Sequence, residues 1–226
     1  MNVLELFAGS RSIGKVCDEL DYINVFSSDM VDFENIDYVC DIFQFDYDKI
    51  PFVPDVIWCS PPCTGFSVAC IGRNWVKGEP FTPKTESAKL GIKILEKTLE
   101  IIEYYKSINP KVTFFIENPR GKMRKAPYLQ PFFDLRRETV TYCQYASNDE
   151  LPRMKPTDIW TNEFLWKPKK PCKNGDTCHI AAPRGSQTGT QGLKGNYERS
   201  KIPKLLCEEI ISSAHKNWVL TKKKYF

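Results

Sequence analysis

The feature that most constrains this chain is a rhythm: short apolar runs, each ending in a small, acidic or proline-bearing turn, alternate with stretches of helical period. "NVLELF" at 2–7 ends in the small-residue turn "AGS" and feeds a helical pattern at 13–20, and further apolar runs stand at 22–27, 38–42 and 54–59. A long polar loop with a helix start near Thr85 leads into "LGIKILEKTLEIIEYYKSI", whose apolar positions recur at three and four, and "KVTFFIENP" then reads as a buried strand. Such alternation predicts an α/β fold, a Rossmann-like and mostly parallel sheet with helices on both faces. Ligands in such folds bind at the carboxyl ends of the strands. "ETVTYCQY" and "TDIWTN" predict an antiparallel hairpin at the sheet's end, and "IPKLLCEEIISSAHKNWVL" a closing amphipathic helix. Between 163 and 199 the periodicity gives way to Lys, Pro, Gly and Cys, so the expected units are a catalytic domain at 1–162, a small irregular module at 163–199, and a C-terminal helix with a basic tail at 200–226 that returns to the first.

Composition narrows the partners. With 226 residues, 42% of them hydrophobic, the chain can bury a sizeable core, and disorder is excluded. A net charge of +4 permits a polyanionic partner without demanding one. No apolar run reaches membrane-spanning length, so the expectation is a cytoplasmic monomer with no membrane contact. Nine scattered cysteines read as reduced thiols rather than a disulfide framework.

The chemistry-bearing residues fall just after strands. "LFAGSRSIG" makes a small-residue turn between strand and helix, but Arg11 stands where a dinucleotide fingerprint has its second glycine, which disfavours a pyrophosphate. Asp29, twenty residues beyond Gly9, can accept hydrogen bonds from ribose hydroxyls, and Asp41 can take an adenine amino group. A ribose and an adenine without a phosphate clamp describe S-adenosylmethionine. Phe7, Ala8, Gly9 and Ser12 are expected to line its pocket with Asp29, Met30, Asp41, Ile42 and Pro61. In "DVIWCSPPCTGFS" two prolines stop an apolar strand and stiffen the loop that presents Cys63, as a positioned thiol requires.

Taken together these motifs resemble the cytosine-C5 DNA methyltransferase family. "ELFAGSRSIG" is similar to its first cofactor motif, "SPPCTGFS" to its Pro-Cys loop, "ENPR" to its Glu-Asn-Pro motif and "LPRMKPTDIW", more loosely, to its arginine-bearing motif, in that order along most of the chain. The resemblance implies a Rossmann-like S-adenosylmethionine-dependent methyltransferase fold and DNA as substrate. It implies that Cys63 adds to C6 of a flipped-out cytosine, that Glu117 bonds N3 and the exocyclic amine, and that Asn118 supports the loop. The motif's Gln-x-Arg-x-Arg falls on Arg153, Lys155 and Thr157 or, shifted by two residues, its two arginines fall on Arg153 and Lys155, which leaves open the cation that steadies the cytosine O2. Some relatives modify transfer RNA, so an RNA substrate is the first rival; a silent nucleic-acid-binding homologue and a folate-dependent pyrimidine enzyme are the others, disfavoured respectively by the pairing of Cys63 with Glu117 and by the glycine turn with its two aspartates.

Flipping a base needs a covering segment. "TGFSVACIGRNWVKGEPFTPKTES" is expected to be mobile, with Arg73, Lys77 and Lys84 toward phosphates, and "APRGSQTGTQG" with Arg184 suits a nucleic-acid groove. The module at 163–199 is short for target recognition, so it can read few bases. Its "PCKNGDTCH" offers Cys172, Cys178 and His179, which with a fourth ligand such as Cys143 could hold zinc; packed reduced thiols are the alternative.

Overall fold

A computed structural model describes residues 1–129, 135–180 and 195–223. Its elements in chain order are β1 (Asn2–Leu6), α1 (Ser12–Asp18), β2 (Asn24–Asp29), β3 (Tyr38–Val39), β4 (Val56–Cys59), α2 (Ile71–Asn74), α3 (Glu86–Ile108), β5 (Thr113–Pro119), β6 (Arg136–Thr141), β7 (Pro156–Thr161), α4 (Asn196–Ser200) and α5 (Lys204–Lys223). The seven strands form one sheet in the order β3-β2-β1-β4-β5-β7-β6. Neighbours from β3 to β5 run parallel, while β7 is antiparallel to both β5 and β6, which is the expected hairpin at the sheet's end.

Period-2 alternation sorts the strand residues between two cores. Leu4, Leu6, Ile57, Phe114 and Ile116 face Leu95, Leu99 and Ile102 of α3. Val3, Val56, Trp58 and Phe115 face Ile13 and Val16 of α1 and Leu206, Ile210 and Ile211 of α5. Each such side chain fully removed from water stabilises the fold by about 1.5–3 kcal/mol, so both faces of the sheet must be covered. Helix α3 begins where expected: Thr85 is its N-cap, its hydroxyl accepting from Ala88 N–H at 3.3 Å.

Two strands are shorter than the apolar runs suggest. β3 ends at Val39, and the Asp41 carboxylate accepts from Phe43 N–H at 3.0 Å, capping a 3₁₀ turn at Ile42–Gln44. That local bond competes with extension of the strand. β6 ends at Thr141 and the chain turns through Tyr142–Tyr145, which buries Tyr142, Cys143 and Tyr145 together where a strand would have set neighbours on opposite faces. The start of the irregular segment is itself core: Trp166 is fully buried, and its indole N–H donates to Glu209 of α5 at 2.8 Å.

The topology places the site. β1 has β2 on one side and β4 on the other, with Leu6 paired to Ser28 and to Cys59, so the chain reverses direction across the sheet at β1. Parallel strands end together, and the turns after β1, β2, β4 and β5 therefore meet at one edge.

Candidate active site

The turn after β1 is built from left-handed backbone. Phe7, Gly9 and Arg11 have φ of 57°, 50° and 52°. Arg11 thus adopts the conformation that a glycine would take most readily, and is held in it by its guanidinium, which donates to Asp18 at 2.9 Å and Ser27 at 3.1 Å. Under the turn lies Glu5, which sequence reasoning passed over as a strand residue. Its buried carboxylate accepts from Ile13 N–H and Gly14 N–H, both at 3.1 Å, and from the Ser27 hydroxyl at 2.8 Å. Burial raises its pKa to about 7 against the opposing pull of those bonds and of Arg11.

Asp29, at the end of β2, accepts from Gly9 N–H and from Val31 N–H, each at 2.9 Å and each on a different oxygen. Each oxygen keeps a further lone pair, so the carboxylate is oriented by the turn and still able to accept two ribose hydroxyls. Half-buried Phe7 and Met30, 69% exposed, supply apolar surface beside it, and Asp41 is exposed with one oxygen free of the Phe43 cap. These carboxylate acceptors fit the hydroxyls and amino group of a nucleoside without phosphates. Ala8 and Ile42 are buried beneath the turn and the 3₁₀ cap. Ser12 is committed elsewhere: its hydroxyl accepts from Ile202 N–H at 3.0 Å and pairs with Ser10 at 2.9 Å, docking the lead-in of α5 onto the glycine turn. Tyr197 of α4 packs on Phe33 with ring centroids 5.3 Å apart, a neighbour that the sequence did not announce.

The Cys63 turn follows β4. Pro61 is buried and Pro62 caps a 3₁₀ turn at Cys63–Gly65, with Phe66 fully buried behind it. Contacts from outside the turn hold it. Asn74 Nδ2 donates to the Thr64 carbonyl at 3.0 Å, Trp75 Nε1 to the Gly65 carbonyl at 2.8 Å, and Lys122 N–H to the Phe66 carbonyl at 2.8 Å. Much of the segment expected to be a mobile cover is therefore folded: Phe66, Trp75 and Phe81 stack, and a bridge joins Trp75 to Pro83. Aromatic burial explains this, because a loop that places two rings in the core forfeits its freedom. Arg73, Lys77 and Lys84 remain exposed on it. Arg184 lies outside the described residues.

Glu117 and Asn118 end β5 beside that turn. Asn118 Nδ2 donates to the Pro61 carbonyl at 2.8 Å, tying the Glu-Asn-Pro stretch to the proline loop. Glu117 accepts from the Tyr142 hydroxyl at 3.0 Å and lies 4.0 Å from Lys155 Nζ, all three side chains being buried. Lys155 Nζ also stands 4.7 Å over the Tyr142 ring and donates to the Arg199 carbonyl at 3.0 Å. Arg153 donates to the carbonyls of Glu198 at 2.8 Å and Lys201 at 2.6 Å. The two cations thus grip the backbone of α4 and its exit, and of the two it is Lys155 that reaches the carboxylate. Electrostatically these groups converge on one thiol. Burial pushes the Cys63 pKa up, the Lys155 charge draws it back, and the Glu117 charge adds to the rise. Burial also lowers the pKa of Lys155, with Glu117 opposing. Cys59, four residues earlier, is raised by burial with no such cation beside it.

A second cluster lies beyond Tyr142. Cys143, Cys172, Cys178 and His179 each point one ligand atom into a space where all four atoms lie within 4.8 Å of one another. The sequence had grouped the last three; the fold adds Cys143, the fourth ligand weighed for them.

The sheet with its single reversed strand, and the glycine turn and carboxylates at its carboxyl edge, make this a Rossmann-like α/β fold. No family model matches the chain. A protein of Frog virus 3 (isolate Goorha), described as a "Probable DNA (cytosine-5)-methyltransferase", is 29% identical over 232 residues, covering 93% of this chain and 99% of the viral one. The resemblance to cytosine-C5 methyltransferases read from the motifs is borne out by that similarity. Among solved structures, the methyltransferase EhMeth of Entamoeba histolytica superposes over 74% of this chain with a TM-score of 0.49 and 13% identity, and a mutant DNMT2 of Spodoptera frugiperda over 76% with 0.44 and 18%. The chain spans about half the length of each, 54% and 53%.

Proposed function

We propose that the protein transfers a methyl group from S-adenosylmethionine to C5 of cytosine in DNA. The observation that carries this reading is the placement, at one sheet edge, of a thiol with Lys155 and Glu117 acting on it and of the Asp29 carboxylate oriented by the Gly9 turn. S-adenosylmethionine, when bound, supplies a methyl group on a sulfonium. The chain's own residues do the rest. The Cys63 thiolate forms a bond to C6 of the flipped-out ring, and the C5–C6 electron pair becomes available at C5 to take the methyl group. The Glu117 carboxyl, in its protonated form, passes a proton to N3 as charge builds on the ring, accepts from the exocyclic amine and takes the proton back when the ring re-forms, while Tyr142 and Lys155 fix its position. The C5 proton then leaves to a base, the C5–C6 double bond re-forms, and Cys63 departs as thiolate. The 163–199 module serves as a reduced recognition region, reading a sequence of about two to four base pairs.

DNA with 5-fluorocytosine at the target, incubated with protein and S-adenosylmethionine, tests it, because fluorine cannot leave as a cation and the adduct stalls. A covalent complex on denaturing gels, absent with Cys63→Ser, is expected. An adduct formed only with RNA would move the substrate assignment, one mapped to Cys59 or Cys70 would displace the nucleophile, and none with either nucleic acid would defeat the reading.

A further inference from the structure

The cluster at the end of the short module has a geometry that methyl transfer does not use. Cys143 Sγ stands 3.1 Å from Cys172 Sγ and 3.7 Å from Cys178 Sγ, and His179 Nδ1 lies 3.8 Å from Cys172 Sγ and 3.7 Å from Cys178 Sγ. Tetrahedral zinc, with Zn–S about 2.3 Å and Zn–N about 2.0 Å, sets two sulfurs ~3.8 Å apart and a sulfur and a nitrogen ~3.5 Å apart. Three of the four separations already lie near those edges, and the fourth needs an opening of ~0.7 Å. Three thiols with one imidazole select zinc over hard cations. A disulfide between Cys143 and Cys172 would use two of the four groups and leave Cys178 and His179 gathered for no purpose.

Packing gives an independent reason. Between Lys167 and Ile180 the one buried residue is Cys172, so the segment has no apolar core of its own. It nevertheless closes on the turn at Tyr142–Tyr145, where Cys172 N–H donates to the Thr141 hydroxyl at 2.9 Å and Gln144 Nε2 to Cys178 Sγ at 3.2 Å. A small segment without a core is held by a metal or a covalent link, and the Gln144 amide aimed at the Cys178 sulfur is the kind of outer contact that a thiolate site carries.

We infer that Cys143, Cys172, Cys178 and His179 bind one structural zinc ion, which fastens the short module to the turn carrying Tyr142 and thereby fixes the hydroxyl that donates to Glu117. Four protein ligands leave no open position, so the ion does not activate water. Binding replaces three S–H protons, released to solvent, with three Zn–S bonds. The last link, from the metal through Tyr142 to Glu117, rests on the proposed methyltransferase reading; the metal site itself does not.

The full-length protein, purified under reducing conditions without added metal, should contain one zinc per chain by elemental analysis. After chelation, titration with cobalt(II) should give the thiolate charge-transfer and tetrahedral ligand-field bands at one equivalent. Cys143→Ser and His179→Ala should each lose or alter those bands, while Cys70→Ser keeps them. Zinc-free folded protein with no cobalt bands would overturn the site, as would bands indifferent to Cys143→Ser. Should a variant fail to fold, the wild-type cobalt titration still decides. Metal removal should lower methyl transfer about tenfold or more with cofactor affinity retained, and readdition of zinc should restore it. A metal-free protein at full rate would overturn the coupling to Glu117. Because metal content is read without DNA or S-adenosylmethionine, failure of the methyltransferase reading leaves the metal result standing, and the reverse.

Discussion

A single methyl group added at Gly121 tests how Cys63 is aimed. The backbone there is extended, with φ −174°, so the demand for glycine is one of space. A Cβ would stand 2.3 Å from the Phe66 carbonyl oxygen and 3.4 Å from Ser67 Cα. An ordinary carbon–oxygen contact is about 3.3 Å, so the two strands of backbone must part by ~1 Å, and no flexible side chain can absorb the change. That opening breaks the bond from Lys122 N–H to the Phe66 carbonyl, now 2.8 Å, and the bridge from Ser67 to Gly121. One buried hydrogen bond lost, with overpacking, costs about 1–3 kcal/mol. The Cys63 carbonyl accepts from both Phe66 N–H at 3.0 Å and Ser67 N–H at 2.9 Å, so the displacement reaches the nucleophile. A misplacement of ~1 Å costs on the order of 100-fold in rate. Gly121→Ala should therefore lower urea stability by about 1–3 kcal/mol and single-turnover methyl transfer about 100-fold. Calorimetric affinity for S-adenosylmethionine should stay near wild type, because its proposed acceptors, Asp29 and Asp41, lie at the end of β2 and after β3. A folded Gly121→Ala protein methylating at the wild-type rate would refute the reasoning.

Other expectations concern charge. Glu5 titrates near 4.5 when unfolded and at about 7 when folded, so the folded state holds the proton more tightly and stability falls as pH rises from 4.5 to 7, by roughly 3 kcal/mol. Glu5→Gln should flatten that slope in urea midpoints taken across the interval; identical slopes would mean the carboxyl is not buried. Lys155→Met removes the charge that draws the Cys63 pKa down, so the thiolate fraction at pH 8 falls. Alkylation of Cys63 by iodoacetamide, mapped by mass spectrometry, should then slow and its midpoint move to higher pH, and an unmoved midpoint would detach Lys155 from the thiol. Asp41→Asn keeps an oxygen for the Phe43 cap but replaces an acceptor with a donor, so S-adenosylmethionine should bind about 1–3 kcal/mol more weakly. Unchanged affinity would remove the adenine assignment.

Several of these residues were legible in the chain and others were not. The placement of Gly9, Asp29, Cys63 and Glu117 at or just beyond strand ends was readable because each follows an apolar run, and strand alternation forecasts a common edge. Thr85 was found because a hydroxyl before a helical period is a cap. Glu5, Tyr142 and Gly121 were missed, since a carboxylate, a phenol and a glycine inside or beside strands look like ordinary strand and turn residues until their partners are known. Glu5 meets Ser27, Tyr142 meets Glu117, and Gly121 meets Phe66 across the fold.

What the sequence determined by itself is local: which runs are strands, where prolines stop one of them, which helix is capped, and which residues stand at strand ends. These follow from steric limits on φ and from burial of one face at a time, and both are written in short windows. Only the tertiary structure decided that Arg153 and Lys155 hold the carbonyls of residues more than forty positions away, that Asn118 ties the proline loop, and that Cys143 joins Cys172, Cys178 and His179. Such pairings depend on how the sheet orders its strands and how α4 and α5 return to it. Distances between residues remote in sequence are set by the packing of whole elements, and no local pattern records them.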